Sequence, residues 1–362
     1  MATRTFKNIM VTGGAGFIGS NFIMYLLGSQ SGFSGRVINV DKLTYAGNLS
    51  NLAEVERKHG QKGDGRYVFE RADIVDRPAI ERIMAAYEVD AIVHFAAESH
   101  VDRSIHGPED FVRTNVMGTF TLLDVARKAW QGRNDVLFHH VSTDEVYGSL
   151  GDSGYFTEET PYDPRSPYSA SKASSDHLVM AYAHTYGFPV TLTNCSNNYG
   201  PYQFPEKLIP LMISNMISGK PLPVYGDGKN IRDWLYVEDH NAAVWLVMQK
   251  GIEGQKYNIG GENEWENIQL LQKLIDIVAK EAGKDSEVIR STITYVKDRP
   301  GHDRRYAIDC SKIKKELGWK QSASFEDGLE KTVRWYLANQ EWVNKILSGE
   351  YIAWIESNYN SR

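Results

Sequence analysis

The sequence predicts an α/β protein built on a doubly wound parallel sheet, with a smaller α/β substrate-binding part interleaved with it. Segments rich in β-formers alternate with helical segments over the first 195 residues. A glycine-rich turn follows the first of these strands, and Tyr168 and Lys172 follow the fifth. Strands that alternate with helices favour a parallel sheet covered by helices on both faces.

The composition is that of a globular protein. The chain has 362 residues, of which 24% are charged and 42% hydrophobic, enough for one large domain or two. Its formal charge of −6 argues against non-specific nucleic-acid binding, which requires a basic face. The only cysteines, Cys195 and Cys310, fit a reducing compartment. No apolar run approaches a membrane span or a signal-peptide core, so we expect a cytoplasmic protein without membrane or nucleic-acid partners.

The first expected strand and helix are joined by glycines. Residues 6–12 predict a buried strand and residues 20–27 a helix, with Gly13, Gly16 and Gly19 between them. Such a turn lets a pyrophosphate approach bare backbone and directs a helix N-terminus at its charge. The strand–turn–helix context indicates a dinucleotide-binding sheet of the Rossmann type.

The second expected strand, residues 36–40, ends at Asp41. This lies close to the offset of about 20 residues at which an acidic side chain bonds the adenosine ribose. A carboxylate there repels a 2′-phosphate, so NAD is expected rather than NADP. The alternative is that Asp41 only caps a turn.

Later strands continue the alternation. They are expected at residues 67–70, 90–95, 136–143 and 190–194, with long helices at 108–130 and 168–186. Asp73 and Ile74, after the third strand, are expected near the adenine. The small Ala96 and Ala97, after the fourth, either let a dinucleotide lie against the backbone or pack closely against a helix.

Acid and base groups concentrate around the fifth strand. Thr143, Asp144 and Glu145 follow it, at the edge where parallel sheets place ligands. Tyr168 and Lys172 are one helical turn apart, and an ammonium beside a phenol is expected to lower the phenol's pKa. Taken alone, the Tyr-x-x-x-Lys spacing also fits an ordinary pair on a helix surface.

After residue 195 the alternation loosens. We expect a first domain of residues 1–195 plus about 233–260, and a second of about 196–232 plus 261–362, with a ligand cleft between them. Residues 256–259 predict a strand that returns to the main sheet. Basic residues in the loops are candidates for gripping a diphosphate, although each alone fits a solvated surface charge: Lys207, Arg232, Arg299, Arg304 and Arg305.

The histidines do not have metal-ligand spacing. His139 and His140 are adjacent on a strand, so their side chains point to opposite faces. Structural roles are expected for them, and Cys195 is expected to be a packing residue.

Together, the glycine turn, Asp41 and the Tyr168–Lys172 pair resemble the extended short-chain dehydrogenase/reductase family that acts on nucleotide sugars. Finer motifs resemble its dehydratase branch and extend from Gly13 to about Asp309: residues 41–48, 95–102, 143–145, 196–201, 232–240 and 298–303. The Thr-Asp-Glu triplet is the most specific of them, since the related epimerases lack its carboxylate pair.

The resemblance implies a homodimer formed through two helices per subunit, NAD as cofactor and dTDP-glucose as substrate. The implied reaction oxidises the sugar at C4, removes water across C5 and C6, and returns the hydride to C6. The implied catalytic residues are Thr143, Asp144, Glu145, Tyr168 and Lys172. Those implied for NAD are Gly13, Gly16, Phe17, Ile18, Gly19, Asp41, Lys42, Leu43, Thr44, Asp73, Ile74, Phe95, Ala96, Ala97, Ser99, Thr114, Tyr168, Lys172 and Asn198. Those implied for the substrate are Ser99, Thr143, Asn197, Lys207, Leu208, Pro223, Val224, Tyr225, Arg232, Asn267, Asp298, Arg299, Pro300, Gly301 and His302.

Two other functions fit parts of the pattern. A nucleotide-sugar epimerase would share the glycine turn, Tyr168 and Lys172, but would not need Asp144 and Glu145. A catalytically idle NAD-binding sensor would need only the cofactor site.

Overall fold

Parallel strands form the main sheet of the computed structural model, which describes residues 3–298 and 301–347. In chain order, the strands of the described residues are β1 Asn8–Thr12, β2 Arg36–Asp41, β3 Tyr67–Arg71, β4 Ala91–His94, β5 Leu137–Thr143, β6 Val190–Cys195, β7 Asn197–Tyr199, β8 Leu222–Tyr225, β9 Ile231–Tyr236, β10 Gln255–Ile259, β11 Glu264–Glu266 and β12 Ile293–Val296. Among these, seven form one parallel sheet in the order β10-β6-β5-β4-β1-β2-β3. The predicted fold class is confirmed.

Helices cover both faces of this sheet. Those of the described residues are α1 Phe17–Leu27, α2 Ala53–His59, α3 Arg77–Ala86, α4 Val101–His106, α5 Pro108–Phe111, α6 Thr119–Ala129, α7 Pro167–Tyr186, α8 Leu208–Ser218, α9 Val237–Lys250, α10 Asn267–Ala282, α11 Ser286–Arg290, α12 Ser311–Leu317, α13 Phe325–Ala338 and α14 Gln340–Leu347. One core joins the sheet to α1 and α9, and a second joins its other face to α3, α6 and α7. Successive residues of β1 enter opposite cores, Ile9 and Val11 the first and Met10 the second.

The smaller part has its own core. Strands β7, β9 and β11 form one small sheet, β8 and β12 form another, and α8, α10 and α13 pack with them. As expected, β10 returns to the main sheet beside β6. The expected boundary near residue 233 lies inside β9, which pairs with both β7 and β11. The next helix, α9, packs against the main sheet.

The long helix expected at residues 108–130 is interrupted. A π-helical segment, Val112–Gly118, separates α5 from α6. Within it, the Asn115 carbonyl accepts bonds from the Thr119 and Ser175 hydroxyls. Side-chain donors of this kind accompany irregular helix turns, and π segments often mark functional sites. The sequence pattern also missed the helices α2, α3, α4 and α11 and the strands β7, β9 and β11.

Within the described part of the chain, no helix combines the length and the apolar character needed to cross a bilayer.

Candidate active site

The glycine turn lies against the end of β4. Gly13 has a φ of 71°, and a methyl group on it would lie 2.7 Å from the Ala96 backbone. A methyl group on Gly19 would collide with the Gly13 carbonyl oxygen. Both positions therefore require glycine, and the start of α1 opens onto a cleft at the carboxyl ends of the strands.

Asp41 ends β2 beside this turn. Its carboxylate accepts bonds from the backbone N–H groups of Ala15, at 2.9 Å, and Leu43, at 2.8 Å. Burial raises the pKa of Asp41, and these two bonds oppose the rise. Asp41 thus holds the local turns, as the capping alternative supposes, and it also lines the cleft where a ribose would lie.

One continuous cleft brings together most of the residues expected at the site. Its lining includes Gly13, Gly16, Phe17, Ile18, Gly19, Asp41, Lys42, Thr44, Asp73, Ile74, Phe95, Ala96, Ala97, Ser99, Thr114, Thr143, Glu145, Tyr168, Lys172, Asn197, Asn198 and Lys207. At the end of the cleft beside β2 and β3, Lys42 pairs with Asp73 at 2.8 Å. Where the cleft crosses toward the smaller part, Lys207 Nζ donates to the Ser99 carbonyl at 3.1 Å.

Other expected substrate residues lie beyond that lining. These are Leu208, Pro223, Val224, Tyr225, Arg232, Asn267, Asp298, Gly301 and His302, while Arg299 and Pro300 fall outside the described residues. The Tyr225 hydroxyl donates to Asp102 at 3.1 Å. Arg232 is buried, with its guanidinium 4.3 Å from the centre of the Tyr306 ring and one nitrogen 3.0 Å from the Asp303 carbonyl.

The candidate catalytic groups meet where β5 ends. A 3₁₀ turn, Asp144–Tyr147, follows directly, and the Glu145 N–H donates to Thr143 Oγ1 at 3.3 Å. Across the cleft, the Tyr168 hydroxyl hydrogen-bonds to the Thr143 side chain. A capping box at Ser166 begins α7 and fixes Tyr168 in its first turn. The turn and the helix thus bring two hydroxyls and two carboxyls to one place.

The two carboxyls of this turn differ in environment. Asp144 is buried, its Oδ2 has no hydrogen-bond partner among the described residues, and Glu145 lines the cleft. Burial, together with the charges of Glu145 and Asp233, raises the pKa of Asp144 well above its usual value. This direction favours the protonated form of Asp144, the form that a proton donor in the site would need.

The expectation for the phenol of Tyr168 is wrong for the protein alone. Burial, followed by the charge of Glu145, raises the pKa of Tyr168 well above its usual value. Lys172 Nζ instead donates to the Val141 carbonyl at 2.9 Å, and burial lowers the pKa of Lys172. Desolvation of the phenolate outweighs the neighbouring ammonium, because the Tyr168 side chain is buried.

The sequence pattern missed two groups beside the cleft. The Asn115 amide bonds both the N–H and the carbonyl of Glu98, and also the Ser171 hydroxyl at 2.8 Å, so it ties the π segment to α7. Glu206 lines the cleft and accepts from the Tyr45 hydroxyl at 3.0 Å, and burial raises its pKa to about 7. The only sequence signal for Glu206 was its place beside Lys207.

Histidines of the sheet interior make separate contacts. His139 Nδ1 lies 2.8 Å from Thr191, whereas His140 lies 3.2 Å from Asp176, so the two rings do point to different faces. No group of three His, Cys, Asp or Glu side chains in the described residues is arranged to hold a metal ion. Cys195 is buried, and burial raises its pKa to about 12.

Known proteins resemble this chain over nearly its whole length. The sequence profile of the family described as GDP-mannose 4,6-dehydratase matches residues 10–332. The dTDP-glucose 4,6-dehydratase of Salmonella typhimurium is 54% identical, over 98% of this chain and 99% of the relative. The dTDP-glucose 4,6-dehydratase structure of Streptomyces venezuelae with NAD and dTDP is 48% identical, with a TM-score of 0.85 over 94% of this chain and 99% of that one. The same enzyme of Bacillus anthracis, solved with NAD, is 47% identical, with a TM-score of 0.82 over 94% and 99%.

Proposed function

Since the chain belongs to the GDP-mannose 4,6-dehydratase family, we propose that it is an NAD-dependent hydro-lyase that converts dTDP-glucose to dTDP-4-dehydro-6-deoxyglucose. The observation that carries this proposal is the pairing of a buried Asp144, whose pKa is raised, with a cleft-lining Glu145 at the end of β5, opposite Tyr168. An epimerase needs no such pair of carboxyls, whereas elimination of water needs both a base and an acid.

The cleft fits a dinucleotide. Bare backbone at Gly13, Gly16 and Gly19 lies at the N-terminus of α1, and Asp41 stands where a ribose would follow. A carboxylate at this place favours a free 2′-hydroxyl over a 2′-phosphate, which selects NAD. When bound, NAD supplies a hydride acceptor for oxidation at C4 and a hydride donor for C6.

In this mechanism Tyr168 removes the proton of the sugar C4 hydroxyl. Thr143, bonded to Tyr168, orients that hydroxyl and then donates to the new carbonyl oxygen. Lys172, one helical turn from Tyr168 on α7, would supply a positive charge near the phenol and would hold the nicotinamide ribose through its remaining donors. Because Tyr168 is uncharged in the protein alone, proton removal depends on positive charge brought next to the phenol when the site is filled.

The carboxyl pair then carries out the elimination. The C4 ketone acidifies the hydrogen on C5, and Glu145 takes this proton. Asp144 gives its proton to the C6 hydroxyl, which leaves as water. One carboxyl acts as base and its neighbour as acid, because burial favours the protonated form of Asp144.

We assign the nucleotide to the smaller part of the chain. Cations and donors near the cleft suit a diphosphate and a base, and the residues proposed for it are Lys207, Leu208, Pro223, Val224, Tyr225, Arg232, Asn267, Asp298, Arg299, Pro300, Gly301 and His302. The aromatic ring of Tyr225 lies 6.1 Å from His302, which supports a platform for the base. We also propose that the chain forms two domains, the first of which resumes at α9. We further propose that the protein is cytoplasmic.

The function is tested by incubating the purified protein with dTDP-glucose. We expect a 4-keto-6-deoxy sugar nucleotide, detected by its absorbance in alkali and by mass loss of one water. UDP-glucose and GDP-mannose are the matched controls for the base. Formation of an epimer without water loss would instead favour an epimerase, and NAD binding without turnover of any nucleotide sugar would favour an idle sensor.

We further propose a homodimer through the 108–129 and 167–186 helices. Val112 and Met117 are 53% and 50% exposed on the first, and Tyr186 is 55% exposed on α7, which leaves apolar side chains uncovered on adjoining helices. We expect Met117→Glu to weaken dimerisation about 100-fold or more, because a buried unpaired charge costs several kcal/mol. Sedimentation at micromolar concentration measures this. Val288→Glu, exposed on α11, is the control, and a monomeric wild-type protein would contradict the proposal.

A further inference from the structure

A buried polar cluster lies behind Lys172, on the side away from the cleft, and the proposed mechanism does not use it. Lys172 Nζ donates to the Val141 carbonyl at 2.9 Å and lies 3.5 Å from His140 Nε2. The same nitrogen of His140 lies 3.2 Å from Asp176 Oδ1. Lys172 and Asp176 are one turn apart on α7, so this helix carries an ammonium and a carboxylate into the protein interior on one face.

Asp176 is fully enclosed and surrounded by donors. Its side chain is 1% exposed, and its Oδ2 accepts from the Ser142 hydroxyl at 2.8 Å, the Tyr162 hydroxyl at 2.9 Å and the Asn194 amide at 3.2 Å. Burial acts to raise the pKa of Asp176, but the donors and the nearby cation prevail and hold it below its usual value. A carboxylate this well solvated by protein groups keeps its negative charge.

His140 is the neutral member of the cluster. Burial, followed by the charge of Lys172, lowers the pKa of His140 to about 4. Its Nδ1 has no hydrogen-bond partner among the described residues, which is less costly for a bare lone pair than for an N–H group. The proton is therefore assigned to Nε2, facing Asp176. This leaves one positive and one negative charge in the cluster, carried by Lys172 and Asp176.

Resting on the proposed function, we propose that Asp176 is a positioning residue for Lys172: it supplies the buried counter-charge that keeps the ammonium protonated and facing the cleft. Without this carboxylate, an ammonium that is 4% exposed would lose a proton more readily, since an isolated buried charge is costly. His140 Nε2, 3.2 Å from Asp176 Oδ1, adds a further polar contact to the carboxylate.

The other titratable groups around the pair also have shifted pKa values. The pKa of His94 on β4 is held well below its usual value by burial, and that of Cys195 on β6 is raised by burial to about 12. The pKa values of Tyr147 and Tyr162 are likewise raised by burial, with further increases from Asp176. On β10, burial lowers the pKa of Lys256, which Asp176 opposes. Asp176 therefore raises the pKa of two cations, Lys172 and Lys256.

The test is the pH dependence of turnover in Asp176→Asn. Activity that needs the Lys172 ammonium is present at low pH and is lost as pH rises through its pKa. Removing the counter-charge lowers that pKa, so we expect the alkaline fall of kcat to move down by about one pH unit or more. Tyr162→Phe removes a donor from Asp176 but keeps its charge, and it should leave the alkaline fall unmoved. Asp176→Glu should restore the fall toward its wild-type position.

A second readout is independent of turnover. Because Lys172 is proposed to hold the nicotinamide ribose, the affinity of Asp176→Asn for NAD, followed by tryptophan fluorescence, should weaken at a lower pH than in the wild type. If the wild-type protein is inactive but the affinity of Asp176→Asn for NAD still weakens at a lower pH, the proposed dehydratase function is wrong. The role of Asp176 as counter-charge to Lys172 is then still supported. An active wild type whose Asp176→Asn variant keeps the wild-type profiles would overturn the inference.

If Asp176→Asn does not fold, the inference can be tested on the wild-type protein. The ¹³Cε signal of Lys172, assigned as the one missing in Lys172→Arg, reports the protonation of its ammonium. The inference requires that this signal remain that of the charged form throughout the neutral range. A titration midpoint below about pH 7 would overturn it, because the carboxylate would then fail to hold the proton.

Discussion

Replacement of Tyr168 by Phe is expected to lower kcat by about 10²- to 10⁴-fold, the range that a positioned acid or base supplies. The phenol is the only group in the first turn of α7 that bonds the Thr143 hydroxyl, so the C4 proton would lose its acceptor. The loss corresponds to about 3–5 kcal/mol of transition-state stabilisation. Substrate binding should change little, because the nucleotide is assigned to the smaller part of the chain.

The measurement is the rate of cofactor reduction in a single turnover, alongside steady-state product formation. Both should fall together, since C4 oxidation precedes elimination. Tyr182→Phe is the matched control: it removes a phenol oxygen from the same helix, but Tyr182 packs in the core between α7 and the sheet. Near wild-type oxidation by Tyr168→Phe would show that another group takes the C4 proton.

Replacement of Glu145 by Gln is expected to separate oxidation from dehydration. The variant should still reduce the bound cofactor with dTDP-glucose, yet form the 6-deoxy product about 10²- to 10⁴-fold more slowly. Glutamine is nearly isosteric with Glu145 but cannot take the C5 proton. Reduced cofactor should therefore accumulate, and exchange of the C5 hydrogen with deuterated solvent should cease. Water elimination at near the wild-type rate would contradict the assignment of Glu145 as base.

Asp144→Asn is the matched partner of that variant. It should also stop water loss, because an amide cannot give up a proton as a carboxylic acid does, but C5 exchange should continue through Glu145. Since the raised pKa of Asp144 means that the folded state holds a proton more tightly, this residue's contribution to stability is present at low pH and is lost as pH rises through the folded-state pKa. The Asn variant should therefore be at least as stable as the wild type at neutral pH.

Local sequence patterns were sufficient to predict those parts of the site that lie on a single turn or helix. The glycines after β1, the acid at the end of β2 and the Tyr168–Lys172 pair each have a fixed spacing dictated by backbone geometry, and all of them line the cleft. The main sheet was predictable for the same reason, because its strands are buried on both faces and alternate with helices.

Contacts between distant segments were not predictable in this way. The sequence pattern did not identify Asp176, because the donors that surround its carboxylate come from the distant strands β5 and β6. Glu206 gains its raised pKa only from tertiary burial. The direction of the Tyr168 pKa was missed for a related reason: spacing reveals a neighbouring charge, whereas desolvation depends on how completely the fold closes around the side chain.

The place of β10 in the main sheet has a consequence for biosynthesis. This strand is made some 60 residues after β6, yet it pairs along the whole of it, from Gln255 with Thr191 to Ile259 with Cys195. Until the ribosome has released residue 259, the nascent chain would present β6 as an open strand edge, the kind of surface that invites wrong pairing. The main sheet therefore cannot be completed before β10 has been made.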